Sequence, residues 1–428
     1  MRLRATFLAV LLCVLTVAAA HAQTQVLPSA RPEQVGLSSD RLNRLTATLK
    51  ADVDKGVIPG AVLLVARHGK VALFETVGVR NPETKAPMTK DAIFRIYSMS
   101  KPITSVSAMM LFEEGRFSLA DPVSKYIPQL GALKVGVEKP DASGKPTLEL
   151  VPSQRDMTIH DLFRHTSGLT YGFFGNTLVK KMYVESKVWN DYPSNAELID
   201  RLAKLPLANQ PGTTWDYSHS TDVLGRLVEV ITDKSLYEFE KARILDPLGM
   251  KDTSFYVTDK SKQDRIVEPF ANDRNFGIEA DFNDPRVSQK WESGGGGMVS
   301  TAMDYARFAQ MLLNGGTLNG KRILGPKTVA YMTSDHMSAA IAPGPLYVPG
   351  PGFGFGLGFA VRKDAGVSPL AGSVGEFNWG GAGGTFFWID PKEDMFVVFM
   401  MQAPKQRVPY RAVLKNMIYA AVTKPAAR

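Results

Sequence analysis

The chain has 428 residues, 44% of them hydrophobic, and a formal net charge of +8 from 50 basic and 42 acidic side chains. That length suits one large domain or two interleaved ones with a sizeable core. The interspersed charges, without any Lys/Arg run, argue against a nucleic-acid partner. The single cysteine, Cys13, falls in the N-terminal stretch, which leaves the rest of the chain without a disulfide, a cysteine nucleophile or a thiolate metal site.

Arg2 and Arg4 precede an apolar stretch from Ala5 to Ala20, and Ala20-His21-Ala22 supplies small residues at cleavage spacing. This pattern predicts a secretory signal peptide cut near Ala22. The apolar run is shorter than the ~20 residues of a membrane span, so a periplasmic or secreted protein without stable membrane insertion is expected. Loss of Arg2 and Arg4 would bring the net charge to +6.

In the following segment Ser38-Ser39-Asp40 cap a helix carrying Leu42, Leu45 and Leu49 within Pro32 to Lys50. Ala61–Arg67 and Val71–Val79 read as two strands joined at His68-Gly69-Lys70. In the middle of the chain Ile159–Phe163, Ala196–Leu205, Ser220–Ile231 and Ala302–Leu313 carry apolar residues at helical spacing, with Thr221-Asp222 as a cap on the third. Gly131 to Arg155 and Ala342 to Gly354 are rich in Pro, Gly and Lys and read as surface loops. Near the far end, Phe353–Val361, Thr385–Ile389 and Met395–Met401 read as strands, with a turn at Asp390–Asp394, and Arg411–Val422 reads as a terminal helix. The expected fold is therefore α/β (α+β): an antiparallel sheet built from both chain ends, flanked by helices, with a mainly helical insertion. The expected divisions are 1–22 for the signal, 23–130 and 341–428 for the two parts of the sheet domain, and 131–340 for the insertion.

The segment Phe94–Pro102 leads into a stretch with Ile103, Val106, Met109, Met110, Leu111 and Phe112, which reads as a helix buried nearly all round. Pro102 is tolerated only in a first helical turn, so Ser98 falls at the helix N-terminus and Lys101 one turn on, along the same face. A serine hydroxyl needs a base to become a nucleophile. A lysine can be that base when burial disfavours its ammonium form, and the helix N-terminus favours the oxyanion that follows. About one S-x-x-K is expected by chance in a chain of this length; this one precedes the most buried-looking helix in the sequence, where a plain cap followed by a surface lysine should not be.

The run Phe94–Lys101 resembles the F-R-x-x-S-x-x-K signature of class C β-lactamases, DD-peptidases and family VIII carboxylesterases. Further segments agree in order: Thr158–Leu162 with His165-Thr166-Ser167-Gly168-Leu169, Pro211-Gly212 with Tyr217-Ser218-His219, Gly294–Gly297 through Phe308, and Trp379-Gly380-Gly381. The resemblance runs from about residue 30 to 424 and implies the β-lactamase/transpeptidase-like fold. It implies Tyr217 as a second general acid/base beside Ser98 and Lys101, where spacing alone leaves a core tyrosine equally open. It also implies an oxyanion hole from the backbone N–H groups of Ser98 and Ala382; by itself the run Gly380–Gly384 could equally be a turn or bulge.

Two positions depart from the lactamase pattern. Trp379 stands where a lysine helps hold the substrate carboxylate, and its indole offers an apolar wall with one N–H, which suits a neutral ester. His219 stands at an asparagine position and reads either as a group that touches substrate or tunes Tyr217, or as a partly buried helix cap. With Gly380 and Gly381, these two form the expected substrate-binding set. The expectation is thus an exported serine hydrolase of carboxylic esters, with a β-lactamase or DD-peptidase, an acyltransferase and an inactive envelope-binding protein as alternatives. Its partner is a small-molecule ester or β-lactam-like substrate, and the oligomeric state stays open. No G-x-S-x-G elbow or H-E-x-x-H is present, so neither a Ser-His-Asp triad, a metal nor a cofactor is expected. His165 reads as a turn-holding residue, and His68 and His336 as exposed.

Overall fold

Residues 27–273, 283–344 and 346–426 are described by a computed structural model of the chain. The expected signal peptide lies outside these residues. After helix α1 (Ser39–Asp54), capped by the Ser38 hydroxyl, come strands β1 (Gly60–Arg67), β2 (Lys70–Asn81) and β3 (Ala86–Pro87). The helical stretch contains α2 (Ser100–Glu113), α3 (Ile159–Phe163), α4 (Leu178–Ser186), α5 (Asn195–Leu202), α6 (Ser220–Thr232), α7 (Leu236–Glu240) and α8 (Ala302–Leu313). The chain then returns through β4 (Phe353–Phe355), β5 (Ala360–Arg362), β6 (Phe377–Gly380), β7 (Phe386–Asp390) and β8 (Met395–Met401) to α9 (Arg407–Ala421). The strands form one sheet in the order β4-β5-β6-β7-β8-β1-β2-β3, antiparallel throughout, so β8 from the far end pairs directly with β1.

The two-residue period of the strands explains the layering. Ala61, Leu63 and Val65 of β1, with Val397, Phe399 and Met401 of β8, face a core shared with Leu42, Leu45 and Leu49 of α1 and Leu414 and Ile418 of α9. The alternate residues, Val62, Leu64, Phe396, Val398 and Met400, face the helical side and pack with Ile103, Val106 and Phe308. Helix α2 lies in that second core and is buried along its length from Ser100 to Leu111. Among the described residues no helix is long and apolar enough to cross a membrane.

Three sequence expectations need correction. The stretch Gly131 to Arg155 is not a plain loop: Lys134–Pro140 and Pro146–Pro152 form an antiparallel hairpin. Its turn is fixed by Asp141, whose carboxylate accepts from the backbone N–H of Ser143 and of Lys145. The expected strand Phe353–Val361 is instead the hairpin β4–β5, broken at Gly358, which has φ +99°. Helix α9 starts at Arg407, four residues earlier than expected, because Val408 and Pro409 are accepted in its first turns.

Candidate active site

Ser98 sits in a single 3-10 turn, Tyr97–Met99, that runs straight into α2. Tyr97 holds the left-handed backbone conformation, φ +43°, a strained setting for a bulky residue that recurs at functional turns. Ser98 is partly exposed while Lys101 is only 1% exposed. The Lys101 amine has three neighbours: the Gly295 carbonyl at 2.5 Å, the Tyr171 hydroxyl at 2.9 Å and Ser98 Oγ at 3.3 Å. The carbonyl can only accept, so one amine hydrogen always points there. The other two neighbours are hydroxyls, with which a free amine can also act as acceptor.

Gly294 and Gly295 form the seat under this amine. A β-carbon on Gly295 would fall 2.7 Å from Asp222 Oδ2 and 2.9 Å from Tyr171 Oη, so only glycine fits. Asp222, 1% exposed, accepts from the Gly295 N–H at 3.0 Å and the Ser293 hydroxyl at 2.6 Å. Burial pushes its pKa up, but the hydrogen bond and charge of His219, the Ser293 bond and the Lys101 charge outweigh burial and hold it below the usual value. Asp222 is therefore no helix cap, as its place after Thr221 suggested; His219 holds that position, without a side-chain capping bond. His219 is fully rather than partly buried. Its Nδ1 faces Asp222 Oδ2 at 3.0 Å, its ring edge meets Tyr171, and its Nε2 has no partner among the described residues.

The Tyr217 ring lies beside that of Tyr171, with the Lys101 nitrogen 4.5 Å from its centroid. Its hydroxyl oxygen accepts from the Trp379 indole N–H at 3.0 Å. The donor that Trp379 seemed to offer a substrate is thus already engaged. Trp215 stacks on Tyr217, and His165, Tyr171 and Trp379 meet it edge-on. His165 lies in the turn after α3 with φ +57°, but its bonds are long-range: its carbonyl accepts from the Asp216 N–H and its Nδ1 faces Ser218 Oγ at 3.2 Å. Burial first, then the Lys101 charge, keep its imidazole well below its ordinary pKa and hence neutral. Burial likewise keeps the Tyr171 phenol well above 10 and protonated.

Trp379 and Gly380 end strand β6, and a turn follows: Gly381 donates to the Thr385 carbonyl and Gly384 donates to that of Gly381. A β-carbon on Gly381 would lie 2.4 Å from the Ile96 carbonyl oxygen, and one on Gly383 3.1 Å from the Tyr97 ring. These contacts bring Ala382 beside the Ser98 turn. Among the described residues, no hydrogen bond engages the backbone N–H of Ser98 or of Ala382. A β-carbon on Gly380 would meet Arg411 Nη2 at 2.6 Å.

Asp161, fully buried, accepts from Arg155, Arg164, Thr166 and both donors of Thr158. Burial alone would raise its pKa, but the bonds from Arg155, Thr158 and Arg164 hold it at about 2. His68 is exposed as expected, whereas His336 is half-buried and bonded to His160 at 2.9 Å, because α3 packs against its loop. Among the described residues no three histidine, cysteine or carboxylate groups gather as a metal ligand set would.

The beta-lactamase family model matches residues 45–418. The chain belongs to the beta-lactamase family. Relatives in and around it include Protein Rv1367c of Mycobacterium tuberculosis, 37% identical over 83% of this chain and 88% of its own length. Esterase EstB of Burkholderia gladioli is 28% identical over 88% of this chain and 95% of its own. Among solved structures, EstCE1, described as a hydrolase with promiscuous acyltransferase activity, superposes with a TM-score of 0.74 at 27% identity, covering 89% of this chain and 98% of that one. The protein is a serine hydrolase of the beta-lactamase fold, in a family that holds esterases and acyltransferases. The sequence reading missed Tyr171, Asp222 and the Gly295 carbonyl; a tyrosine two residues after Leu169 was the one local signal available.

Proposed function

We propose that this beta-lactamase-family hydrolase cleaves carboxylic esters through an acyl-enzyme on Ser98, and that it works in the periplasm or outside the cell once its first 22 residues are removed. The observation that carries the reading is the Lys101 amine, buried and within 3.3 Å of Ser98 Oγ, with the Tyr217 ring 4.5 Å away. In its free-base form Lys101 takes the Ser98 proton, and the Ser98 oxygen attacks the ester carbonyl. The tetrahedral oxyanion is received by the Ser98 and Ala382 N–H groups. Collapse expels the alcohol, which takes a proton from Tyr217 or Lys101. Water then attacks the acyl-enzyme and yields its proton to the same groups, releasing the acid and restoring Ser98. An alcohol in place of water would give transfer instead of hydrolysis.

Trp379 supports an ester over a β-lactam or a peptidoglycan peptide, since it supplies no cation for a carboxylate and its N–H is committed to Tyr217. EstB and the lovastatin esterase of Penicillium rubens, named as esterases, point the same way. The test is hydrolysis of p-nitrophenyl acetate and butyrate beside nitrocefin. Ester turnover should exceed nitrocefin turnover and vanish in Ser98→Ala. Undiminished ester hydrolysis by Ser98→Ala overturns the reading, and dominant nitrocefin turnover replaces the ester with a β-lactam.

A further inference from the structure

Glu240 closes α7, where the chain widens into a π-turn over Lys241–Leu245, and its carboxyl group is fully buried against α2. One oxygen lies 3.1 Å from the Thr104 hydroxyl and 3.4 Å from that of Ser107, and the other has no partner among the described residues. Helix α2 presents these hydroxyls, α6 meets α7 through Gly225 and Leu236, Lys241 and Arg243 of the π-turn pair with Asp246 and Glu114, and the charge acting on Glu240 is the like charge of Glu292. A carboxylate here would have no counter-ion.

The hydrogens can be counted. Thr104 Oγ1 also sits 3.1 Å from the Gly294 carbonyl, and Ser107 Oγ 3.0 Å from that of Ile103. The Ile103 carbonyl already accepts the Ser107 N–H within α2, so the contested hydrogen is that of Thr104, one donor equidistant from the Gly294 carbonyl and Glu240. Thr104 keeps its hydrogen on the Gly294 carbonyl when Glu240 brings its own: Glu240 donates to Thr104 and Thr104 donates to Gly294. The Gly294 carbonyl is one peptide from the Gly295 carbonyl that holds the Lys101 amine, and the Gly295 N–H is taken by Asp222.

We infer that Glu240 is a positioning residue for Lys101: held as the neutral acid, it orients Thr104 so that the Gly294–Gly295 seat stays locked under the amine. The seat then rests on two carboxyl groups in opposite states, Asp222 ionised and accepting, Glu240 neutral and donating. Ionisation of Glu240 would turn the Thr104 hydrogen to the carboxylate and release the Gly294 carbonyl. Burial, with Glu292 as a smaller contributor, pushes the Glu240 pKa up to about 8, so release falls in the mildly alkaline range. The inference rests on Lys101 serving as base for Ser98.

The test compares kcat and KM of the full-length protein and Glu240→Gln across pH. The amide keeps a donor for Thr104 at every pH. At pH 7 the two should agree within about twofold. Between pH 7 and 9 the wild-type kcat should fall about tenfold relative to Glu240→Gln, following the neutral fraction of a group titrating near 8. Titration of the shared catalytic groups cancels in that ratio. A carboxylic-acid carbonyl band in the infrared spectrum at pH 7 should be lost in the variant. If Glu240→Gln does not fold, Thr104→Val decides: kcat lowered about tenfold with KM unchanged supports the relay, and wild-type kcat overturns it. A flat ratio, or an infrared band unchanged in the variant, overturns the inference while Ser98→Ala remains inactive; an active Ser98→Ala instead removes the reading beneath it.

Discussion

Trp379→Phe isolates one hydrogen bond in the site. The substitution keeps an aromatic ring against Tyr217 and Phe355, whose rings lie 5.4 and 5.3 Å away, and removes the N–H donated to Tyr217 Oη at 3.0 Å. Both residues are buried, at 4% and 7% exposure, so water cannot replace the donor cheaply. A hydrogen bond to a neutral oxygen contributes about 0.5–1.5 kcal/mol and one to a charged oxygen about 1.5–3 kcal/mol. Only the excess in the charged state affects the rate. If negative charge develops on Tyr217 during proton transfer, the loss is about 1–1.5 kcal/mol, or roughly tenfold in kcat. The smaller ring should also cost about 1–3 kcal/mol of stability, read separately by urea unfolding. The assay is p-nitrophenyl butyrate hydrolysis by the wild type, Trp379→Phe, Tyr217→Phe and the double variant. Trp379→Phe should lose about tenfold in the wild-type background and nothing further beside Tyr217→Phe. An equal loss in both backgrounds, or less than twofold in the first, refutes a role for the indole through Tyr217.

Tyr171→Phe removes the hydroxyl 2.9 Å from the Lys101 amine and should lower kcat about 10- to 100-fold with little change in KM, checked by steady-state kinetics on the same ester. Gly381→Ala would drive a β-carbon to 2.3 Å from Thr385 Oγ1 and 2.4 Å from the Ile96 carbonyl. The displaced Ala382 N–H should slow acylation about 100-fold, measured as the nitrophenol burst. Asp161→Ala leaves Arg155 and Arg164 without their shared buried partner and should cost about 3–5 kcal/mol in urea unfolding. In the wild type the Asp161 contribution is full above its ordinary value of 3.8 and is lost as pH falls toward about 2; Asp161→Ala should flatten that part of the stability curve.

The sheet was legible because β1 and β8 carry apolar residues on both faces, and a strand buried on both sides reads as a continuous run. Helix α2 was legible for the same reason, with Pro102 fixing its start. The hairpin at Lys134–Pro152 was hidden because it packs little: residues such as Leu150, 47% exposed, leave no alternating core signal, and Pro140, Pro146 and Gly144 read as a loop. Gly-aromatic alternation across Phe353–Val361 gave no hint of the break at Gly358. Ser98 and Lys101 are neighbours in sequence, so one motif names both. Tyr171 and Gly295 reach Lys101 from 70 and 194 residues away, and no local spacing encodes such contacts. Asp222 read only as a helix cap and Glu240 carried no signal, because a helical carboxylate normally faces water; only the packing of α6 and α7 on α2 and the Gly294–Gly295 strip turns them inward.

Fluorophosphonate labelling followed by fragment-ion mapping measures the nucleophile itself. The account predicts a single phosphonate adduct, localised to Ser98 and not to Ser100 in the same peptide, and absent from folded Ser98→Ala. An adduct on any other serine, or a folded wild-type protein that takes up no label, would contradict it.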